Sequence, residues 1–305
     1  MRIAVINSSD TNAYAHQVAV AVEEVAKARN AKVDVFNAEF DPGKQQAQFQ
    51  DALATGRYDA YIVIPVDGVA LIPMVKQAIS SGAAVVATGD FALGPRYDTN
   101  EPQVEGMVGS VNTTNEAIGE RLGNLAVEAC EGDDECKIAW IPGVATTPAE
   151  VHETKVLKNV IEPHSNIELV AVQSGEFLAD PSKRAASDIL QAHSDLDVFV
   201  TAGDQMAYGA QLAIKDRGKS DQVKTIGLGG SFQGIEQIKA GEMFGTAPLL
   251  PYDDGLYAAD IALRAVREQP IAKPVLDPVE ASGIPTQLTK KNVGEVDFAG
   301  QFTNS

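Results

Sequence analysis

At 305 residues, with 45% hydrophobic and 22% charged residues, the chain is long enough for two packed domains, and its composition excludes disorder over most of its length. Asp plus Glu outnumber Lys plus Arg by 42 to 24, a formal charge of −18, which excludes nucleic acid and anionic membrane surfaces as partners. No run of about 18 apolar residues is present to span a bilayer.

The chain opens as a strand, MRIAVINSS, with no basic segment leading into an apolar one. Read literally this is a cytoplasmic start; the alternative is a mature chain whose export signal has been removed. Candidate strands begin near Arg2, Val33, Ala60, Ala84 and Met107, and again near Lys137, Ile167, Asp197, Lys224 and Phe244. They read as continuous apolar runs, the pattern of a parallel sheet covered on both faces. Helical segments lie between them. Val18, Val22 and Val25 form one apolar stripe, with Glu23, Glu24 and Lys27 off it. Asp67 is the expected N-cap of GVALIPMVKQAI, and Asp180 that of PSKRAASDIL, with Pro181 at its first helical position. A last long helix is expected from about Tyr252 to Glu268, ending before Pro270. Extended crossings are expected near Ser110, Thr246 and Val279, and the tail from Pro285 to Ser305 reads as a surface strap or as partly disordered. Two successive βαβ arrays of similar period predict two doubly wound, Rossmann-like α/β lobes with parallel sheets.

Chemistry-bearing motifs are sparse. Gly218-Lys219-Ser220 lacks the upstream glycine of a phosphate-binding loop, and Gly227–Ser231 completes neither a dinucleotide fingerprint nor a nucleophile elbow. His16, His152, His164 and His193 form no i, i+4 pair, and the acidic run Glu131, Asp133, Asp134, Glu135 lacks calcium-loop spacing, so neither a cofactor nor a metal is expected. Cys130 and Cys136 are the only cysteines. They read as a local disulfide of an oxidising compartment, with two independent thiols as the alternative. Nothing assembles a nucleophile, a base and an orienting group, so no catalysis is expected. In a doubly wound lobe, the loops at the carboxyl ends of the strands are candidates by topology. They carry Asp10, Asn12, Tyr14, Asp90, Phe91, residues 146–153, Glu176, Phe177, Gly203, Asp204 and residues 229–231. Aromatic rings with carboxylates and amides suit a polyhydroxylated ligand, whose hydroxyls donate to the acids while rings cover its carbon skeleton.

IAVINSSDTNAYAHQV, DPGKQQAQFQDALATGRYDAYIVIPVDG and AAVVATGD in the first half make a recognisable set with DVFVTAGDQMAYGAQLAI, KTIGLGGSFQGIEQIKAGEMFGTA and IPTQLTKKNV in the second. Over nearly its whole length the chain resembles the ribose-binding-protein type of solute-binding proteins that serve ABC transporters. The resemblance implies a type I periplasmic-binding-protein fold: lobes 1–110 plus 249–278 and 111–248 plus 279–305, joined by a three-strand hinge and closing on a solute. It also implies a monomer outside the cytoplasm, periplasmic or lipid-anchored, that docks on a permease. Carried over position by position, it implies ligand contacts from Asn12 and Tyr14, from an acid kept at Asp90 beside Phe91, and from Phe177 and Asp204. Departures fall at Glu153 (an arginine in the family), Gly203 (Asn), Gly229 (Asp) and Leu249 (the hinge Gln), and the arginine beside Asp90 is lost. Asp10 and Gly229 complete the candidate set. With Asp90 and Glu153 and no matched cation, the site is expected to reject phosphates and carboxylates and to take a neutral sugar or sugar alcohol. An amine-bearing solute is the alternative ligand, and a chemoreceptor or sensor kinase the alternative partner. A repressor of the same fold would need an N-terminal helix-turn-helix, and the sequence begins on the first strand instead.

Overall fold

In the computed structural model, residues 1–294 are described; the part of the expected tail from 295 to 305 lies outside the described residues. In chain order the elements are β1 (Arg2–Asn7), α1 (Ala13–Ala28), β2 (Lys32–Asn37), α2 (Pro42–Thr55), β3 (Ala60–Val63), α3 (Ile72–Ser80), β4 (Ala84–Thr88) and β5 (Gly109–Val111). There follow α4 (Asn115–Ala129), β6 (Cys136–Ile141), α5 (Pro148–Ile161), β7 (Ile167–Val172), α6 (Ala179–Ala192), β8 (Val198–Thr201), α7 (Asp204–Asp216), β9 (Lys224–Gly229), α8 (Phe232–Ala240) and β10 (Gly245–Pro248). The chain closes with α9 (Pro251–Val266), β11 (Val275–Leu276), α10 (Pro278–Ser282) and β12 (Leu288–Thr289). Two compact units result, lobe 1 from Met1–Asn115 with Leu250–Ser282, and lobe 2 from Glu116–Leu249 with Gly283 onward.

Lobe 1 holds a six-stranded sheet in the order β11-β5-β4-β3-β1-β2, every pair parallel. Lobe 2 holds a second sheet in the order β12-β10-β9-β8-β6-β7, parallel except for the β10–β12 pair. In each the chain winds outward from the first strand in both directions, which opens a crevice at the carboxyl ends of β1 and β3, or of β6 and β8. The central strands are buried throughout, as β3 and β4 illustrate, and Ala4, Ile6, Tyr61, Val63, Val85 and Ala87 meet Phe49, Met74, Val75 and Ala78 from the flanking helices. Residues of this kind lose most of their apolar surface to the core, worth about 1.5–3 kcal/mol for each large side chain. The expectation of strands covered on both faces fails at β2 and β7. Both are outermost in their sheets and only half-buried, and polar Asp34 in β2 is held by Arg2 at 2.6 Å.

Three local expectations are corrected. Asp67 does not cap α3; its Oδ1 accepts from the N–H groups of Val69 and Ala70, closing an earlier turn. The reason is Pro73, which a helix tolerates in its first turn but not in its interior, so α3 starts only at Ile72. Asp180 is not the N-cap of α6 either: Leu178, in extended conformation, holds that place, and Asp180 and Pro181 lie inside the first turn. Near Val279 the chain is not extended, because Asp277 Oδ1 accepts from the N–H groups of Val279 and Glu280 and starts the short helix α10.

Close helix approaches position the loops. In lobe 1, a Cβ on Gly255 of α9 would meet the Val18 carbonyl of α1 at 2.3 Å, so only glycine lets these helices lie backbone to backbone. In lobe 2, Gly209 of α7 approaches α6 in the same way, since a Cβ there would stand 2.2 Å from the Ala179 carbonyl. Cys130 and Cys136 form a disulfide that joins the end of α4 to the start of β6.

Candidate functional site

At the carboxyl-end rim of lobe 1, Asn12 is the N-cap of α1 and accepts from the Ala15 N–H at 3.0 Å. Two residues on, the close α1–α9 packing brings Tyr14 against Asp254, and its hydroxyl donates to Asp254 Oδ2 at 2.7 Å. Asp254 is 3% exposed, and its Oδ1 has no hydrogen-bond partner. Burial pushes the Asp254 carboxyl well above the carboxylate range, with Asp277, Asp90 and Asp253 adding like-charge repulsion and the Tyr14 hydrogen bond opposing the rise. The Tyr14 phenol is pushed up by the same burial and by the Asp254 charge. After β4, the backbone carbonyl of Asp90 accepts from Asn115 Nδ2 at 2.6 Å, which fixes the loop and leaves its carboxyl with only its own backbone N–H to accept from. Burial raises that carboxyl to about 6. Phe91, beside it, is buried at 4% exposure and packs into the lobe. Asp10 is exposed and pairs with His16 Nδ1 at 2.8 Å, apart from this group.

At the corresponding rim of lobe 2, Asp204 opens α7, but Gly203 rather than its side chain holds the cap position. The Asp204 carboxylate instead accepts from the Ser231 N–H at 2.6 Å and from the Thr246 hydroxyl at 2.7 Å, pinning the β9–α8 turn to β10. Burial raises its pKa and these hydrogen bonds oppose the rise. Added Cβ atoms at Gly227 and Gly234 would come within 2.2 and 2.5 Å of that carboxylate, so both glycines make its room. Gly229, at φ +136°, turns the chain where β9 ends. Glu153 on α5 is buried at 2% exposure; one turn before it, Glu150 accepts from the Gly143 N–H at 3.1 Å.

Phe177 and its neighbour Glu176 both adopt left-handed φ values of +55°, a conformation that costs non-glycine residues about 1–2 kcal/mol each. The neighbouring loop sustains it: Glu176 N–H donates to the Gly143 carbonyl at 3.0 Å, Gly175 N–H donates to that of Pro142 at 2.8 Å, and Ser174 Oγ also donates to Gly143. The Phe177 ring lies on Gly143 so closely that a Cβ there would meet its Cζ at 1.9 Å.

The structure thus groups Tyr14 and Asp90 with Asp254 in lobe 1, and Asp204 with the Gly229 turn in lobe 2. Asn12 and Asp204 spend acceptors on the backbone, and Asp10 stands aside. Sequence reasoning missed Asp254, and it missed Gln45. The latter is fully buried and bridges the switch point of lobe 1, donating to the Ile64 carbonyl and accepting from the Val66 N–H, both at 2.8 Å. A signal for the loop strain did exist in the chain: Glu39-Phe40 after β2, at φ +56° and +58°, repeats the Glu176-Phe177 pair after β7.

Among the described residues, no group of three or more His, Cys, Asp or Glu is placed to hold a metal ion, and no helix is long and apolar enough to cross a membrane. A family model for the periplasmic binding protein domain matches residues 3–270. A D-ribose/D-allose-binding protein of Pseudomonas aeruginosa is 27% identical over 226 residues, covering 73% of this chain and 68% of its own. A ribose import binding protein of Bacillus subtilis is 25% identical over 264 residues, covering 85% and 79%. Among solved structures, an ABC transporter solute-binding protein from Mycobacterium smegmatis with bound glycerol shares the fold, with a TM-score of 0.82, 24% identity and 99% of each chain covered.

Proposed function

The chain belongs to the periplasmic binding protein domain family, and from that membership we propose that it captures a small sugar or sugar alcohol outside the cytoplasm and delivers it to an ABC permease. The observation that carries this reading is the match over residues 3–270, supported by relatives named for ribose and allose binding. The lobe geometry agrees with it. Asp90 presents a carboxyl that no other residue engages, ready to accept from a ligand hydroxyl, while Tyr14 and Phe177 supply aromatic surface beside the two rims. Asn12 caps the helix that carries Tyr14, Asp204 and Gly229 order the β9–α8 turn of lobe 2, and Glu153 adds a buried acid to that lobe. Such acceptor-rich rims disfavour sugar phosphates and sugar acids by like-charge repulsion. The disulfide supports a location in an oxidising compartment, since cytosolic thiols are kept reduced. The protein works as a monomer and carries out no chemistry on its ligand.

Thermal unfolding against pentoses, hexoses, polyols, sugar phosphates and sugar acids tests this. A ligand at 100 times its Kd adds about 2.7 kcal/mol, a rise of roughly 5 °C or more for lobes of this size. Stabilisation by a sugar or polyol, lost in Asp90→Ala, is the expected result. Stabilisation confined to phosphates or acids, or by no carbohydrate at all, would overturn the reading.

A further inference from the structure

The buried charge of lobe 1 has one sign. Its buried charged residues are Asp254 and Asp277, and among the described residues of that lobe no lysine, arginine or histidine is buried with them. Lobe 2 differs, since Arg121 is buried there alongside Glu150, Glu153 and Asp204. Asp277 is accommodated within the fold, accepting from the Thr113 hydroxyl at 3.0 Å and from two N–H groups of α10. Asp254 is not. One oxygen accepts a hydrogen bond from the Tyr14 hydroxyl and the other, Oδ1, has no partner, although a buried acceptor without a donor costs about 1–3 kcal/mol. The Asp90 charge pushes up both Asp254 and Tyr14, and its own carboxyl meets only its backbone N–H.

Building on the sugar-binding reading, we infer that the carbohydrate carries a protonated amino group, seated against Asp254 Oδ1 and the Asp90 carboxyl. A hydroxyl brings one proton and no charge, so it satisfies one acceptor and adds no counter-charge to the two acids. An ammonium group brings three donors and the missing positive charge, and satisfies both carboxyls at once. Apart from Tyr14 on α1, which donates to it, the groups acting most strongly on Asp254 are acidic: Asp277 before α10, Asp90 after β4 and Asp253 on its own helix. Burial and the charges of Asp277, Asp90 and Asp253 hold Asp254 well above its ordinary range, and burial raises Asp90 to about 6, the direction expected of acids that lack a counter-charge. A metal ion does not fill the role, because no three ligating side chains among the described residues converge.

The test is calorimetric titration at pH 7.5 with pairs that differ only in amine for hydroxyl: D-glucosamine and D-glucose, D-galactosamine and D-galactose, 1-amino-1-deoxy-D-glucitol and D-glucitol. In at least one pair the amine is expected to bind about tenfold tighter or more, as close charge pairs in buried sites do. That preference should fall at least severalfold in Asp254→Asn, and also in Asp90→Asn, which guards against a folding defect in either variant. With 1-amino-1-deoxy-D-glucitol, whose amine is already charged at pH 7.5, binding should release protons from the carboxyls, measured in buffers of different ionisation enthalpy, and the release should shrink in the variants. If every hydroxyl twin binds as tightly as its amine, or if the amine preference survives both substitutions, this inference fails while sugar binding stands. If no member of any pair binds, this inference fails, and the sugar-binding reading is decided separately by the wider thermal panel.

Discussion

Replacing Asp90 by Asn should make the ligand-free protein more stable at neutral pH and leave it unchanged in acid. The Asp90 carboxyl titrates at about 6 in the folded chain, against an ordinary value of 3.8. A carboxyl raised in this way holds its proton more tightly when folded than when unfolded. Its contribution is therefore fully present below 3.8, falls as pH rises toward 6, and stays lost above that. The shift of about two units corresponds to at most about 3 kcal/mol, at roughly 1.36 kcal/mol per unit. Asp90 is only partly covered, so screening by solvent lowers this to about 1–2 kcal/mol. Asn has the same shape and no charge, and it also relieves the repulsion that Asp90 exerts on Asp254. At pH 7.5 the Asn variant should melt roughly 2–6 °C higher than the parent protein, and at pH 4 the two should coincide. Paired calorimetric scans from pH 4 to 8 without ligand measure the difference directly, with the titration of carboxyls remote from Asp90 cancelling. A difference that does not change with pH, or an Asn variant that is less stable at pH 7.5, would refute the electrostatic reasoning for this rim.

Asp204→Ala leaves the Ser231 N–H and the Thr246 hydroxyl without their buried acceptor, and should destabilise lobe 2 by about 2–4 kcal/mol; hydrogen exchange should show faster exchange at Ser231 than in the parent. Gly143→Ala drives a methyl into the Phe177 ring, so it should weaken ligand binding by at least about tenfold while far-ultraviolet circular dichroism stays unchanged. Reduction of the Cys130–Cys136 bridge, or its replacement by two serines, should cost about 2 kcal/mol because the loop it closes is short, read as a lower midpoint in urea with ligand affinity retained.

The strands were legible for a physical reason. Parallel strands inside a lobe bury both faces, so RIAVI, AYIVI, KIAWI and DVFVT stand out as apolar runs against the helical periods between them. Val275–Leu276 and Leu288–Thr289 did not stand out, since two residues carry no period and their strand character comes from pairing with β5 and β10. Strand and cap signals misled where a nearby residue overrode them, as Pro73 did at Asp67 and as Asp277 did at Val279. The rim was half legible. Tyr14 and Asp90 sit in loops that topology alone marks out, but Asp253-Asp254 reads as ordinary acidic residues in a helix's first turn. What makes Asp254 unusual is a contact with Tyr14 across 240 residues of chain, enabled by the missing Cβ of Gly255. Gln45 is invisible for the same reason: in QQAQFQ it is one glutamine among several, and only the packing of α2 on the switch point buries it.

Isothermal titration of the purified protein with the carbohydrate that gives the largest thermal stabilisation decides whether the chain captures a sugar. The expected result is saturable binding of one ligand per chain, with the carbohydrate recovered chemically unchanged and the heat abolished in Asp90→Ala. Absence of saturable binding to any sugar, sugar alcohol or amino sugar, or conversion of the ligand during the titration, would contradict it.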